Sequence, residues 1–600
     1  MAKTSPPRQT EESIIIPYLL GILADAKLRF IPFFEWAGEL KNPAILKADI
    51  IAGITVALIL VPQSMAYAQL AGLPPYIGLY ASFLIPIIAA LFGSSRQLQN
   101  GPVAIISLMT AAALAPMGLS VEQYIAYAAI LALLVGIIQM VLGFLRLGVL
   151  VDFLSHPVII GFTNAAAIVI GSLQLGKLFG ISIDSGEHLY LTLGSLFSRI
   201  PTETHMHTLI IGLFSLLLLF LFKRYTPKLP GILLTVVLSI LFSWASGFAE
   251  KGGKVVGEVP AGLPSFSIPS VDFSHLPDLL MPAFVIALLS FVEAFSIAKA
   301  IASKTRQRLS ADQEMVGKGL ANITAGVMQG YAVSGSFSRT AVAYDAGAKT
   351  GFAAIVTGII VGITLLFLTP LLYHLPLATL AAVIIVAVIG LIQISPFHHA
   401  WRVNPHDGFV ALTVFITTLI FAPHLENGIF IGVILSLLLY LYRTMKPHFA
   451  EVAKDDDGTY RDASIFNLKT SDTLSLFRYD GDLYFANAGY LERQILDAVA
   501  NKPQLKVLIL DMEAIDQIDA TGEEMLVHMS ERLAHAGIEF YLTRPKVKLT
   551  DVLQRSGLLD KIDKEHVFSR RRDAIKAIKE KYGNTVDVQH LETHLPKSAD

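Results

Sequence analysis

The chain has 600 residues, of which 54% are hydrophobic and only 16% charged; a soluble globular chain carries about 25% charged residues, so most of this one is built to face lipid. The formal net charge of -2 sums an apolar part and a polar tail, and no nucleic acid is expected as a partner. There are no cysteines, which excludes disulfides, thiolate metal sites, iron–sulfur clusters and cysteine nucleophiles.

Residues 1–45, opening MAKTSPPRQTEES, lack the compact basic and apolar regions of a signal peptide and are expected to form a cytoplasmic segment. A membrane domain is expected over 46–446. Its apolar segments lie near 50–70, 76–93, 101–117, 122–145, 150–178, 206–223, 229–249, 277–302, 315–332, 337–347, 352–372, 376–394, 408–422 and 427–444. Segments one to seven and eight to fourteen make two halves of similar size, a pattern that fits an inverted repeat. Lys223, Arg224, Lys228, Lys304, Arg306, Arg308, Arg402, Arg443 and Lys446 fall on one side of this count, so both termini are expected in the cytoplasm of a multi-pass protein, set in a bacterial plasma membrane.

From Asp455-Asp456-Asp457-Gly458 the chemistry changes. A linker is expected over 447–465, an α/β domain over 466–583 and a tail over 584–600. Within the domain, strands are expected at Thr473–Arg478, Leu483–Asn487, Lys506–Asp511 and Ile538–Thr543. Helices are expected at Tyr490–Ala500, Thr521–Ala536 and Lys548–Leu559.

The third and tenth segments start in the wrong place. One opens at Gly101-Pro102-Val103-Ala104, the other at Ser334-Gly335-Ser336-Phe337-Ser338-Arg339, and each is too short to cross a hydrocarbon layer of about 30 Å. Helices that begin part-way through a bilayer expose free N–H groups and the positive dipole end to the protein interior. Irregular backbone at that depth is tolerated only where it lines a cavity. Two such helices in corresponding places of two halves point to a transporter's substrate site, and their exposed ends favour an anion.

Individual residues sharpen this. In Val61-Pro62-Gln63-Ser64-Met65-Ala66-Tyr67, Gln63 and Tyr67 stand four apart on one helix face; packed polar residues beside a proline kink are the alternative. Arg339 on a short apolar segment needs a cavity or a partner, unless it snorkels to the interface. Glu293, flanked by Phe291, Val292, Ala294 and Phe295, is either a structural counter-charge or a titrating group that couples protons or sodium. His205, His207, His398, His399, His406 and His424 lie at expected loop or span ends without metal-ligand spacing, so no metal and no cofactor are expected. Asp519 is placed to cap the helix opened by Ile518-Asp519-Ala520-Thr521-Gly522. No phosphate loop, Walker pattern or Ser-His-Asp set occurs, and enzyme activity is not expected.

VPQSMAYAQLAGLPPYIGLYASF (61–83), GPVAIISLM (101–109), GSFSRTAV (335–342) and the tail's IDATG together resemble the SulP family of anion transporters. Its relatives include plant sulfate transporters, cyanobacterial bicarbonate transporters and prestin. The tail resembles a STAS domain. The resemblance implies an all-α membrane domain of fourteen segments in two inverted seven-segment repeats, divided into core and gate, with a cytoplasmic STAS domain and a homodimeric assembly. It places the anion between the N-termini of segments three and ten. Gln63 and Tyr67 would line that site, and Val103, Ala104, Phe337, Ser338 and Arg339 would present backbone N–H groups or charge to it. Glu293 would match an acid associated with proton coupling, and Thr521 would stand where antagonist proteins carry a phosphorylatable serine. Val103 replaces the aromatic of prestin-like members, which makes a roomier site and speaks against motor behaviour. The implied function is proton-coupled secondary transport of sulfate by an elevator-like movement. Bicarbonate or C4-dicarboxylate substrates, sodium coupling, an uncoupled channel or exchanger, and a membrane-bound sensor are the alternatives.

Overall fold

The computed structural model describes residues 32–147, 155–182, 189–226, 229–269, 272–422, 424–562 and 564–592. Lys228, residues 150–154 of the fifth expected segment, most of the N-terminal segment and the end of the tail lie outside them. The chain divides into two compact units, Met1–Ser436 and Leu437–Asp600.

Helix α1 (Pro43–Leu70) starts well before its apolar run. Asn42 caps it, its side-chain oxygen accepting the Ala44 N–H at 3.0 Å, and Pro43 takes the first helical position, where its missing N–H costs nothing. The first half continues through α2 (Pro75–Tyr80), α3 (Ile85–Phe92), strand β1 (Asn100–Gly101), α4 (Ala104–Leu114), α5 (Val121–Phe144), α6 (His156–Phe179), α7 (Leu189–Glu203), α8 (Met206–Tyr225) and α9 (Gly231–Ala245). The second half repeats the order with α10 (Leu276–Thr305), α11 (Ala311–Val327), strand β2 (Ser334–Gly335), α12 (Phe337–Asp345), α13 (Phe352–Ile363), α14 (Leu377–Ile389), α15 (Ile394–Val403), α16 (Pro405–Phe421) and α17 (Leu425–Thr444). Among the described residues, nine helical stretches are long and apolar enough to cross a membrane. The shorter apolar helices beginning at Ala104, Gly231 and Pro405, together with α11 and α12, complete the fourteen expected segments. Helices α7 and α15 were not expected. Both are amphipathic, with Tyr190, Leu191, Phe197, Ile394, Trp401 and Val403 exposed, and α15 carries His398 and His399, expected at loop or span ends.

Packing sorts these helices into two bundles that each mix the halves. In one, α1 packs on α13 and α12, α5 on α11 and α10, α3 on α11 and α13, and α4 on α10. In the other, α6 packs on α16 and α14, and α8 on α14 and α9. These pairs largely map onto one another when first-half and second-half segments are exchanged, as an inverted repeat requires. Helices α5 and α11 cross closely at a reciprocal glycine contact, where a Cβ on Gly136 would lie 2.6 Å from the Gly319 carbonyl oxygen and one on Gly319 would lie 2.8 Å from that of Gly136. Backbone is the obstacle on both sides, so neither helix can yield by a rotamer change. Gly319→Val should lower stability by about 1–3 kcal/mol through overpacking, read as an earlier thermal transition of the detergent-solubilised protein; an unchanged transition would show that this crossing can open freely.

The second unit carries a six-stranded sheet of order β4-β3-β5-β6-β7-β8, with β3 (His448–Lys454), β4 (Tyr460–Asp462), β5 (Leu474–Asp480), β6 (Val507–Asp511), β7 (Glu539–Thr543) and β8 (Val567–Phe568). Strands β3, β4 and β5 pair antiparallel, whereas β5 through β8 run parallel. Every residue of β6 is buried, because both faces of a parallel strand are covered. Leu508 and Leu510 pack with helices α18 (Ala488–Asn501), α19 (Ala520–His535) and α20 (Val547–Arg555); Val507 and Ile509 pack on the other face with α21 (Arg571–Tyr582).

The second unit differs from the sequence expectation in three places. Residues 447–465 are not a linker: they form the β3–β4 hairpin, and the acidic run that suggested a linker is its tip, with Gly458 at φ +84. Leu483–Asn487 is not a strand. Asn487 turns the chain by accepting the Tyr484 N–H on its side-chain oxygen at 3.0 Å, and α18 starts there. Residues beyond 583 are in part packed, with Val586, Val588 and Leu591 in the core.

His590 in this last stretch is half-buried, its two ring nitrogens shielded from solvent and lacking a hydrogen-bond partner, and desolvation pulls its pKa down to about 4. An unfolded histidine takes its proton near 6.5, while the folded one refuses it until about 4. Stability is therefore unaffected above pH 6.5 and falls as pH drops through that window. The expected cost is roughly 2 kcal/mol at pH 5. His590→Leu should remove that loss in denaturant unfolding of the second unit at pH 7 and pH 5, and equal acid sensitivity in both proteins would contradict the assignment.

Candidate substrate-binding site

Strands β1 and β2 are two residues each, and they pair antiparallel, Asn100 opposite Gly335 and Gly101 opposite Ser334. The chain therefore enters α4 and α12 from opposite directions, and their N-terminal ends meet at one place. The crossing is fastened from the side, as the Ser336 N–H donates to the Gln99 carbonyl at 2.9 Å and the Gln99 N–H to Thr340 Oγ1 at 3.0 Å. Val103 caps α4 in an extended conformation and offers no side-chain bond, so the first N–H groups of that helix are left open. Ser336 caps α12, with its Oγ accepting from the Arg339 N–H at 3.4 Å.

A cavity of about 400 Å³ opens beside this crossing. Gln63, Tyr67, Val103, Ala104, Glu293, Phe337 and Ser338 all line it, so the structure brings together residues from four separate stretches of sequence. Gln63 Nε2 donates to Tyr67 Oη at 3.0 Å. The opposite wall is apolar, from Val383, Val386 and Ala387 of α14, and Lys223 of α8 stands among the lining residues near Gly390 and Leu391.

Arg339 lies elsewhere. It is fully buried, behind the wall, with Nη1 donating to Gln63 Oε1 and Nη2 to the Pro102 carbonyl, both at 2.9 Å. Its Nε finds no partner. The guanidinium thus ties α1, the turn before α4 and α12 into one unit, and sets a fixed positive charge behind the two helix ends. Glu293 on α10 reaches the cavity, and its Oε2 is buried without a partner. The Ser334 hydroxyl lies against the carboxylate, and Lys318 and Arg339 are the cations whose fields act on it.

Lys318 and Glu314 escaped the sequence reading. Both are buried in α11, four residues apart on one face. Lys318 Nζ donates to Asn100 Oδ1 at 3.3 Å, and Glu314 accepts from the N–H groups of Ser94 and Ser95 at 2.7 and 2.9 Å. Their signal was one charge inside the expected segment 315–332 and one immediately before it. Lys223 was used only for orientation, and nothing in the uniformly apolar α14 marks the residues that face the cavity. Thr521 is in the second unit, exposed in the first turn of α19, where Asp519 caps the helix by accepting the Gly522 N–H at 2.8 Å.

Comparison with known proteins identifies the family. The model of the sulfate permease family matches residues 46–414. The chain belongs to the sulfate permease family. The STAS domain model matches residues 466–574. Among curated relatives, a probable sulfate transporter of Arabidopsis thaliana is 35% identical over 583 residues, covering 93% of this chain and 85% of its own length. A probable sulfate transporter of Mycobacterium tuberculosis is 35% identical over 543 residues, covering 89% and 95%. The solved structure of the murine Solute Carrier 26 family member A9 anion transporter in the inward-facing state shares the fold, with a TM-score of 0.85 at 24% identity over 96% of each chain. The transmembrane domain of the cyanobacterial bicarbonate transporter BicA aligns with a TM-score of 0.56, covering 65% of this chain. Members of the sulfate permease family are anion transporters, not enzymes, and this chain is accordingly a multi-pass membrane protein.

Proposed function

We propose that the protein is a secondary active transporter of a small oxyanion, sulfate first, coupled to protons through Glu293. The observation that carries this reading is the meeting of two open helix N-termini beside a cavity, with Arg339 fixed behind them. Free N–H groups and a buried guanidinium suit a divalent oxyanion that brings no cation of its own. The curated relatives' names favour sulfate over bicarbonate. Phe337 and Ser338 offer backbone N–H from α12, and Val103 and Ala104 offer it from α4, while Gln63 and Tyr67 orient the bound anion.

Packing between the two bundles supports an elevator-like movement. Helix α1 packs on α9 and α14, and α4 packs on α6. The repeat-related counterparts, α10 with α17, α10 with α6, and α12 with α14, lack comparable packing among the described residues. The cavity lies at the last of these missing contacts, between Phe337 and Val342 on one side and Val383 and Ala387 on the other. Exchange of the two contact sets would close α12 on α14 and free α4 from α6, which would present the anion to the opposite face. By the excess of Lys and Arg, the open mouth beside Lys223 faces the cytoplasm. In the STAS domain, a phosphate on Thr521 would meet a helix N-terminus, a favourable place for added negative charge.

The test is radiolabelled sulfate uptake into proteoliposomes with an inward proton gradient, an inward sodium gradient, or neither. Saturable uptake that accumulates only with the proton gradient is expected. Non-saturating flux that never exceeds equilibrium would instead mean a channel.

A further inference from the structure

A second cavity, of about 270 Å³, shares three helices with the first and is displaced along them, toward the end of α1 and the starts of α8 and α14. Helix α1 contributes Gln69 here and Gln63 to the first cavity; α8 contributes Thr208 here and Leu219 and Lys223 there. Helix α14 contributes Leu377 and Ala378 here and Val383 to Ala387 there, a rise from Ala378 to Val383 of roughly 7 Å. The two cavities therefore lie one after the other along α1, α8 and α14.

The charged lining of the second cavity, among the described residues, is Lys177 and Lys254, and no carboxylate joins them. Lys177 spends one N–H on the Gln69 carbonyl at 3.2 Å, and a lysine ammonium has three. Lys254 is held at the start of α14, where its carbonyl accepts the Leu377 N–H at 3.0 Å, and its ammonium reaches Ser182 Oγ. Two like charges sharing one concave pocket raise the local concentration of anions.

We infer that this pocket is a second anion subsite, loading a small divalent oxyanion at the mouth opposite Lys223. The inference rests on the first cavity being the transport site. Its test compares sulfate transport by the full-length protein in proteoliposomes with sulfate presented to one face or the other. Lys177→Gln should raise the KM at the pocket's face by about five- to tenfold and leave the KM at the other face unchanged, while Lys177→Arg should stay near the parent value. Lys254 is exposed, so Lys254→Glu should fold normally and show the same one-sided rise, diminishing at high salt. A KM that moves equally at both faces, or at neither, in Lys254→Glu overturns the inference. Calorimetric titration of sulfate into the detergent-solubilised protein separates the two readings. A binding event lost in Lys177→Gln and kept in Arg339→Ala supports the subsite even where no transport is found. Its absence, beside an event lost only in Arg339→Ala, refutes the subsite and leaves the first cavity standing.

Discussion

Arg339→Ala is expected to weaken sulfate binding about 30-fold or more, corresponding to about 2 kcal/mol, the order of one charge acting on a divalent anion across a layer of protein. The effect has two sources. A fixed positive charge disappears from behind two helix N-termini, so a divalent anion is left with the helix ends alone, each worth roughly half a charge. The tie between α1 and the turn before α4 is lost as well, since Gln63 Oε1 and the Pro102 carbonyl both depend on the guanidinium. Buried acceptors left unpaired cost about 1–3 kcal/mol each, and the thermal transition should fall with the affinity. Arg339→Lys distinguishes the sources. It keeps the charge but cannot reproduce the planar two-point contact, so it should recover part of the affinity and little of the stability. Calorimetry on detergent-purified protein reads both variants. An Ala variant that is folded and binds sulfate with parental affinity would remove Arg339 from the site.

What could be read from the sequence follows from how local each signal is. The short helices were legible because Gly101-Pro102 and Ser334-Gly335-Ser336 stop one conformation and start another within a few residues. The Gln63–Tyr67 pair was legible because a four-residue spacing fixes a shared helix face, and the two side chains do bond. The place of Arg339 behind the wall was not legible: it depends on which way α12 is rotated against α1, and the partners are Gln63 and Pro102, 276 and 237 residues away. The same holds for Lys318 and Asn100, which meet across 218 residues. The face of α14 that lines the cavity could not be chosen, since Val383, Val386 and Ala387 sit in a run with no polar side to orient it. In the second unit, a polar hairpin tip looked like a linker because Asp455 to Gly458 are soluble in either setting, while β3 earns its place through long-range pairing with β5.

Coupling turns on Glu293, and Glu293→Gln should leave anion binding within a few-fold of the parent while abolishing proton-driven accumulation. The carboxylate faces the same cavity as the proposed anion and has one oxygen without a partner. Two negative groups in one poorly hydrated space repel strongly, so the anion and a proton on Glu293 should enter together. The groups that face the carboxylate are Ser334, Lys318, Arg339 and Tyr67; none carries a negative charge that a proton could neutralise in its place. With the membrane potential clamped at zero, one proton per anion and a gradient of about one pH unit can sustain roughly tenfold accumulation, because 1.4 kcal/mol is a factor of ten. The parent protein should approach that ratio in proteoliposomes. The Gln variant, always neutral and nearly the same shape, should stop at a ratio of about one while still exchanging labelled for unlabelled sulfate. Exchange without accumulation separates a lost coupling group from a damaged site, which would lose both. If the Gln variant concentrates sulfate to the parental ratio on a proton gradient alone, the proton is carried elsewhere and Glu293 serves as a counter-charge for Lys318 and Arg339.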